Sequence, residues 1–252
     1  MILKDISFKT PVENILYDDV LLTLAEQDKG GEVLRLWESE IVFIVLGRIC
    51  KTEDDLNIDA VLKDGIPVVR RSSGGGTVLQ GKGCLNYSLI LSKTLHPSIA
   101  DLRQSYQYIL GKVIAGLKKL DIEVVFQPVS DIALRLGYKK ISGNAQRRIR
   151  NFILHHGTIL YDFDLHLLEK YLKIPKSIPE YRRNRSHLEF VANVFSPESY
   201  KSHSSGRRVD DIKDSLRDVF HVERQERSLG EEEKESLLNL LKINKAAVTL
   251  LR

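Results

Sequence analysis

The residues of this chain with the strongest chemical character lie in two segments. They are Arg70-Arg71-Ser72-Ser73-Gly74-Gly75-Gly76-Thr77-Val78 and Lys140-Ile141-Ser142-Gly143-Asn144-Ala145-Gln146. Three consecutive glycines let a backbone approach a ligand closely and adopt positive φ without steric penalty. Their N–H groups can form a nest for an anion. Arg70 and Arg71 add charged donors suited to a phosphate or carboxylate. The same stretch would also serve as a tight connection with no ligand. It is neither a P-loop nor a dinucleotide fingerprint, because G-x-x-x-x-G-K-[ST] and G-x-G-x-x-G are both absent here. Lys140, beside a small-residue turn, can set its ammonium against an acyl-phosphate oxygen and stabilise developing negative charge. Alone, it also has the look of a surface lysine in a hairpin.

Asp131 opens a strand-like run, where it could hold Mg²⁺, orient a ribose or cap a turn. His155-His156-Gly157-Thr158 places two histidines on opposite faces of one strand, which argues against their sharing a metal. No Cys/His set has zinc spacing. Cys50 and Cys84 are too few for a disulfide framework.

These residues need elements to position them. Residues 13–28 have helical apolar spacing, and Val33–Trp37 and Ile41–Leu46 read as a hairpin across Glu38-Ser39-Glu40. Pro67–Arg70 is a strand entering the glycine turn, and Thr77–Leu79 and Asn86–Leu91 are strands leaving it. Asp101–Leu120 is the clearest helix, with Leu102, Tyr106, Ile109, Leu110, Val113, Ile114 and Leu117 on one face. Glu123–Gln127, Asp131–Leu136, Lys139–Ser142 and Phe152–Tyr161 read as strands, with Gly137-Tyr138 as a turn. Residues 175–208 are loop-rich. Asp210–Phe220 returns to helical spacing, and Ser228-Leu229-Gly230-Glu231 fits a capping box opening a last helix. The pattern is α+β, with mixed, largely antiparallel sheets flanked by helices.

The chain has 252 residues, 29% of them charged, and a formal net charge of +4. So mild an excess does not by itself call for nucleic acid. Two basic clusters, Arg147-Arg148-Arg150 and Arg182-Arg183-Arg185, read either as solvated faces or as grips for phosphates or an acidic partner. No apolar run approaches the ~20 residues of a membrane span. The opening residues lack an apolar leader core, and Glu13, Asp18 and Asp19 follow soon after. A reduced, cytoplasmic enzyme is expected, with no membrane or nucleic-acid partner.

Taken in order, RRSSGGGTV, GCLNYSL, SDIAL, KISGNAQ and LHHGTIL resemble the lipoate-protein ligases of the biotin/lipoate ligase superfamily. NILYDDVLL, LRLWESEIVFIVLGR, and PEYRRNRSH with FVANV agree, so the resemblance spans about residues 13–195. It implies a ligase-like catalytic domain over 1–200 and a basic linker with a short helical C-terminal tail over 201–252. It further implies that lipoate, or octanoate, is activated by ATP and Mg²⁺ to an acyl adenylate. The acyl group then passes to a lysine of a lipoyl-domain protein, such as a 2-oxoacid dehydrogenase E2 subunit or the glycine cleavage H protein. Lys140 would touch the reacting carbonyl and phosphate. Arg70, Ser73, Gly74, Gly75 and Gly76 would line the adenylate, joined by Ser142, Gly143 and Asn144. Asn86 would stand beside the ligand and Asp131 near the nucleotide, as a candidate Mg²⁺ ligand. His156, Gly157 and Thr158 would floor the pocket, with Gly157 allowing the ligand to come close.

Two departures stand out. Ile49-Cys50-Lys51 follows Gly47-Arg48 where the family usually has a polar Gln/Ser-Asn pair. The family's long helical accessory domain has no counterpart before Arg252, so the expectation is either a separate accessory polypeptide or a chain in which only the transfer half survives. An octanoyltransferase of the same fold would need a reactive thiolate. Cys84, after the glycine loop, is its candidate, since Val125 stands where the resemblance would put that cysteine. A silent binding module using the Arg147–Arg150 cluster is the third reading.

Overall fold

The computed structural model describes residues 1–195 and 209–244. Its strands are β1 (Ile2–Asp5), β2 (Val33–Trp37), β3 (Phe43–Leu46), β4 (Val68–Arg70), β5 (Val78–Gln80), β6 (Cys84–Ser92), β7 (Val124–Gln127), β8 (Asp131–Leu134), β9 (Lys140–Arg148), β10 (Phe152–Leu160) and β11 (Arg224–Glu226). Its helices are α1 (Pro11–Glu26), α2 (Thr52–Asp55), α3 (Ile58–Lys63), α4 (Leu102–Lys119), α5 (His166–Tyr171), α6 (His187–Phe190), α7 (Val209–Val219) and α8 (Glu231–Ile243). An eight-stranded sheet runs β11-β1-β2-β6-β10-β9-β8-β7, and a three-stranded sheet runs β4-β3-β5. β1 is parallel to β2 and β11, and β3 is parallel to β4; the other ladders are antiparallel. This is the expected α+β class. No helix among the described residues is long and apolar enough to cross a membrane.

The expected hairpin of β2 and β3 does not form. β2 is buried along its whole length, with β1 on one edge and β6 on the other, so it has no edge left for β3. The connection leaves the large sheet instead: Glu38 accepts from the amide of Gly83 (2.6 Å) and from the hydroxyl of Tyr161 (2.7 Å). Period-2 patterning states that a segment is a strand, not which strand it joins.

α1 shows why the site is stiff. Thr10 caps it by accepting from the amide of Glu13, Pro11 sits at its first position, and most of its residues are buried, Asp18 and Asp19 included. α4 follows its apolar face into the main core, packing Ile109, Leu110, Val113 and Leu117 over the large sheet with Leu134, Ile141 and Ile153.

The described part of the tail is tied to the rest. β11 extends the sheet beside β1, and α7 contributes Ile212, Leu216 and Val219 to the main core. Ser215 Oγ donates to the carbonyl of Gly116 at 2.7 Å, where α7 and α4 cross. α8 lies on α1, and Glu233 receives Tyr17 Oη (2.9 Å) and Lys4 Nζ (2.7 Å). Its cap falls two residues after Ser228, the expected one. Gly230 is the cap, and its amide donates to Glu233 at 3.0 Å, because the Glu-rich first turn begins at 231. Residues 196–208, including most of the expected basic linker, lie outside the described residues.

Candidate active site

The glycine loop joins β4 to β5 and comes down on β9. A Cβ built on Gly75, whose φ is +82°, would lie 3.5 Å from the Cβ of Ala145 and 3.0 Å from a guanidinium nitrogen of Arg71. A side chain there would therefore be both strained and crowded. No backbone carbonyl among the described residues accepts from the amides of Gly74, Gly75 or Gly76. The loop and the Lys140 segment, distant in sequence, thus meet on one strand.

The two arginines before the loop serve it differently. Arg70 uses Nη1 alone to hold the carbonyls of Gly47 (2.8 Å), Arg48 (3.3 Å) and Cys50 (2.7 Å). Arg71 is buried and turned onto its own loop. It donates to Ser73 Oγ (3.0 Å) and to the carbonyls of Gly74 (2.7 Å) and Gly76 (2.7 Å). Burial pulls its pKa down to about 10, which still leaves it charged. The expectation of Arg71 as a phosphate donor is corrected: its N–H groups shape the loop.

Lys140, at the start of β9, pairs with Asp131 of β8 at 2.8 Å, and its side chain keeps 28% of its exposure. Asp131 also accepts from Tyr181 Oη at 2.8 Å. A Cβ on Gly143 would stand 2.9 Å from Lys140 Nζ, so the glycine leaves the lysine its space. Both carboxylate oxygens of Asp131 therefore have protein partners, one of them the lysine.

Ser142, Asn144, Gly157, His155 and Tyr87 form an interior lattice. Asn144 Nδ2 donates to the carbonyl of Ser130 (2.8 Å) and to Ser142 Oγ (3.2 Å), while its Oδ1 accepts from Tyr87 Oη. A Cβ on Gly157 would fall 1.9 Å from Asn144 Oδ1 and 2.7 Å from Tyr87 Oη. The close approach at Gly157 is thus made by protein atoms rather than by a ligand. His155 is fully buried; Gln146 Nε2 lies 3.1 Å from its Nδ1, and its Nε2 is 3.2 Å from Asn144 Oδ1. Burial first, then the charge of His156, lowers its pKa to about 3. Asn86 accepts from Thr158 Oγ1 (3.0 Å), which receives Gln80 Nε2 (2.9 Å).

The opposite face of β10 carries a polar chain in which the sequence reading singled out His156 and Ser73 as site residues but not Asp18, Asp19 or Arg35. His156 Nε2 lies 2.6 Å from Ser73 Oγ, and its Nδ1 lies 3.4 Å from Asp18 Oδ2. Asp18 also receives Ser88 Oγ (2.6 Å) and Arg35 Nη1 (2.7 Å). Burial opposes its charge, but Arg35, His156 and Ser88 together hold its pKa below the usual carboxylate range. Next to it, Asp19 receives Ser72 Oγ (2.5 Å) and Arg147 Nη1 (2.7 Å). The signal was present in the sequence: two carboxylates inside an apolar helix, and an arginine in the middle of VLRLW. Buried charges need partners.

Four arginines of the basic clusters, Arg147, Arg148, Arg182 and Arg185, are braces. Arg148 holds the carbonyls of Ile99 (2.6 Å) and Ala100 (2.7 Å), and Arg147 holds Asp19. Arg182 and Arg185 both stand over the ring of Phe190, and Arg185 also binds the carbonyls of Gly137 (2.9 Å) and Tyr181 (2.8 Å). The cysteines exchange roles. Cys84 is fully buried, and burial pushes its thiol well above the ordinary range. Cys50, which the sequence reading passed over, puts its Sγ 3.5 Å from the carbonyl of Gly75.

A family model, the lipoyl protein ligase A/B catalytic domain, matches residues 10–224. A probable lipoate-protein ligase A of Mycoplasma genitalium is 30% identical over 167 residues, covering 66% of this chain and 48% of that protein. The chain thus spans about half the length of its mycoplasmal relatives. The octanoyltransferase LipM of Carboxydothermus hydrogenoformans is 29% identical over 238 residues, covering 88% of this chain and 87% of that one. A lipoate-protein ligase A crystallised with ATP superposes with a TM-score of 0.78 at 22% identity, covering 99% of this chain and 98% of that chain. A bi-partite lipoate protein ligase of Thermoplasma acidophilum, studied with its E2 lipoyl domain, gives 0.74 at 22% identity, over 100% and 96%. At such identities the structures speak for the fold, while the family match covers most of the sequence. The chain belongs to the lipoyl protein ligase A/B catalytic-domain family.

Proposed function

We propose that this protein activates lipoate or octanoate with ATP and transfers the acyl group to a lysine of a lipoyl-domain acceptor. The observation that carries the reading is the meeting of the glycine loop with β9, which sets its unengaged amides on the strand headed by Lys140. Attack of the carboxylate on the α-phosphate yields an acyl adenylate and pyrophosphate. Attack of the acceptor's amine on the carbonyl then yields the amide, and AMP departs. Both steps build negative charge on phosphate and carbonyl oxygens. Fixed amides, the remaining N–H groups of Arg70 and the Lys140 ammonium are suited to stabilise it. Mg²⁺ fits as a passenger on the ATP phosphates, since it binds through few carboxylates and retains waters. Among the described residues no three His, Cys, Asp or Glu side chains stand together as a metal site. An acceptor such as an E2 lipoyl domain or H protein, and a separate accessory subunit, belong to this reading.

The test is the intact mass of a lipoyl domain incubated with the protein, lipoate, Mg²⁺ and ATP. An acyl adduct that requires ATP supports the reading, and none with either lipoate or octanoate sinks it. The second reading, thioester-dependent octanoyl transfer, draws on the LipM relative and on Cys50 beside Gly75. It predicts an adduct from an octanoyl thioester without ATP.

A further inference from the structure

Arg71, the Arg48 amide and Cys50 hold the carbonyls of the glycine loop, but the side chains of its two serines are tied to a helix. Of the paired serines that precede the glycines, Ser72 bonds directly to Asp19 and Ser73 reaches Asp18 through His156. Asp18 and Asp19 are adjacent on α1, so a two-residue segment of helix grips a two-residue segment of loop. Neither carboxylate is free to swing. Asp18 is locked by Arg35, which is fully buried and also donates to the carbonyls of Ile6 (3.2 Å) and Asn14 (2.7 Å). The rings of Phe8, Tyr17 and Trp37 surround that guanidinium. Asp19 is held across the sheet by Arg147 of β9.

The proton arrangement follows from the donors. Arg71 Nε–H can only donate, so Ser73 Oγ accepts from it at 3.0 Å. With a neutral imidazole, the serine's own proton then goes to His156 Nε2, and Nδ1–H points at Asp18. Every member of the chain is thereby satisfied, and a shift at one end must be felt at the other.

We propose that Asp18 and Asp19 are positioning residues for the ligand site: acting through His156–Ser73 and through Ser72, they fix how the amides of Gly74–Gly76 are presented to an anion. Neither carboxylate touches the ligand in this role. The idea rests on the acyl-adenylate reading only for the choice of probe.

Replacing Asp18 would strand the buried Arg35 charge and risk the fold, so the test uses Ser73→Ala, His156→Gln, their double variant and Asp19→Asn. Glutamine offers one amide group and can satisfy Ser73 or Asp18 but not both. The first measurement is amide hydrogen exchange of the full chain at Arg48, whose amide donates to the Ser73 carbonyl (2.9 Å), and at Arg71, whose amide donates to Leu46 (3.0 Å), which needs no ligand. Exchange should speed at these amides in each single variant, and the double variant should exchange no faster than the worse single. The second is affinity for a non-hydrolysable lipoyl-sulfamoyl-adenosine. It should fall ~10–100-fold in each single variant, the scale of a misplacement near 1 Å, again without further loss in the double. Unchanged exchange at these amides with weakened binding would mean that Ser73 contacts the ligand directly, and the proposal would fail. It would fail equally if exchange increments add in the double variant. A parent protein that ignores the probe counts against the adenylate reading, and exchange alone then decides the positioning role.

Discussion

Lys140→Ala separates chemistry from stability, because the structure assigns the lysine little of the second. Its side chain is 28% exposed, and its partner Asp131 keeps the Tyr181 hydroxyl when the ammonium goes. A partly exposed pair contributes at most about 1 kcal/mol after solvent screening. For a chain of this size that is a drop of about 2–4 °C in Tm. The catalytic loss is expected to be much larger. A charged donor at a developing oxyanion is worth roughly 2.7–4 kcal/mol, so transfer should slow by at least ~100-fold. The assay follows the mass of a lipoyl domain with time under saturating lipoate and ATP, beside a thermal melt of the same sample. Near-parental transfer by a folded Lys140→Ala protein would refute the reasoning. So would a slow variant whose melt had fallen by more than ~10 °C, since unfolding would then account for the loss.

Four further outcomes are expected. Gly157→Ala should destabilise by about 3 kcal/mol or more in urea melts, because its Cβ would overlap Asn144 Oδ1 at 1.9 Å; a shift below ~1 kcal/mol would mean that β9 and β10 can separate freely. Gly75→Val should abolish binding of the adenylate analogue and, because φ there is +82°, also cost about 1–3 kcal/mol of stability; unchanged affinity in the folded variant would make the loop merely structural. Cys50→Ala with Cys84→Ala should leave ATP-dependent transfer within a few-fold of the parent; a hydroxylamine-sensitive acyl adduct on Cys50 would favour the thioester route. The last concerns pH. His155 titrates near 3 when folded, against about 6.5 in an unfolded chain. The unfolded state therefore binds the extra proton, and stability should be complete above about pH 6.5 and decline as pH falls toward 3. Asp18, whose folded pKa is depressed, adds a separate loss below about pH 4. Replacing His155 with phenylalanine should flatten the pH 4–6 limb of the Tm profile, and an unchanged limb would assign it elsewhere.

The sequence made some levels of this molecule readable and others not. Strand and helix identities came from periodicity, so β2 and α4 were found where they lie. Pairing was a different matter: Val33–Trp37 is buried on both edges, and nothing within five residues says that β1 and β6 claim it. β1 and β11 were missed, since each is short and its partners are distant in sequence. At the site, glycine and lysine were visible because their chemistry is local. Arg71 was misjudged because an arginine beside a glycine loop looks the same whether it faces a ligand or its own carbonyls. Asp18 and Asp19 enter the sequence reading only as charges that argue against a leader segment. Their weight appears only once α1 is known to be buried almost all round, a fact of the assembled fold.

The parallel pairing of Ile2 with Arg224 and of Leu3 with Gln225 constrains how the protein is made. β1 leaves the ribosome well before the strand that closes its outer edge, which follows about 220 residues later. At ~5–20 residues per second, that edge stays open for roughly 10–45 s. An open strand edge invites pairing with other chains. Lys4, in the middle of β1, pairs in the folded chain with Glu226 and Glu233, both made after that interval. Until then the open edge carries a lysine without these partners, the kind of residue that discourages strand pairing with other chains.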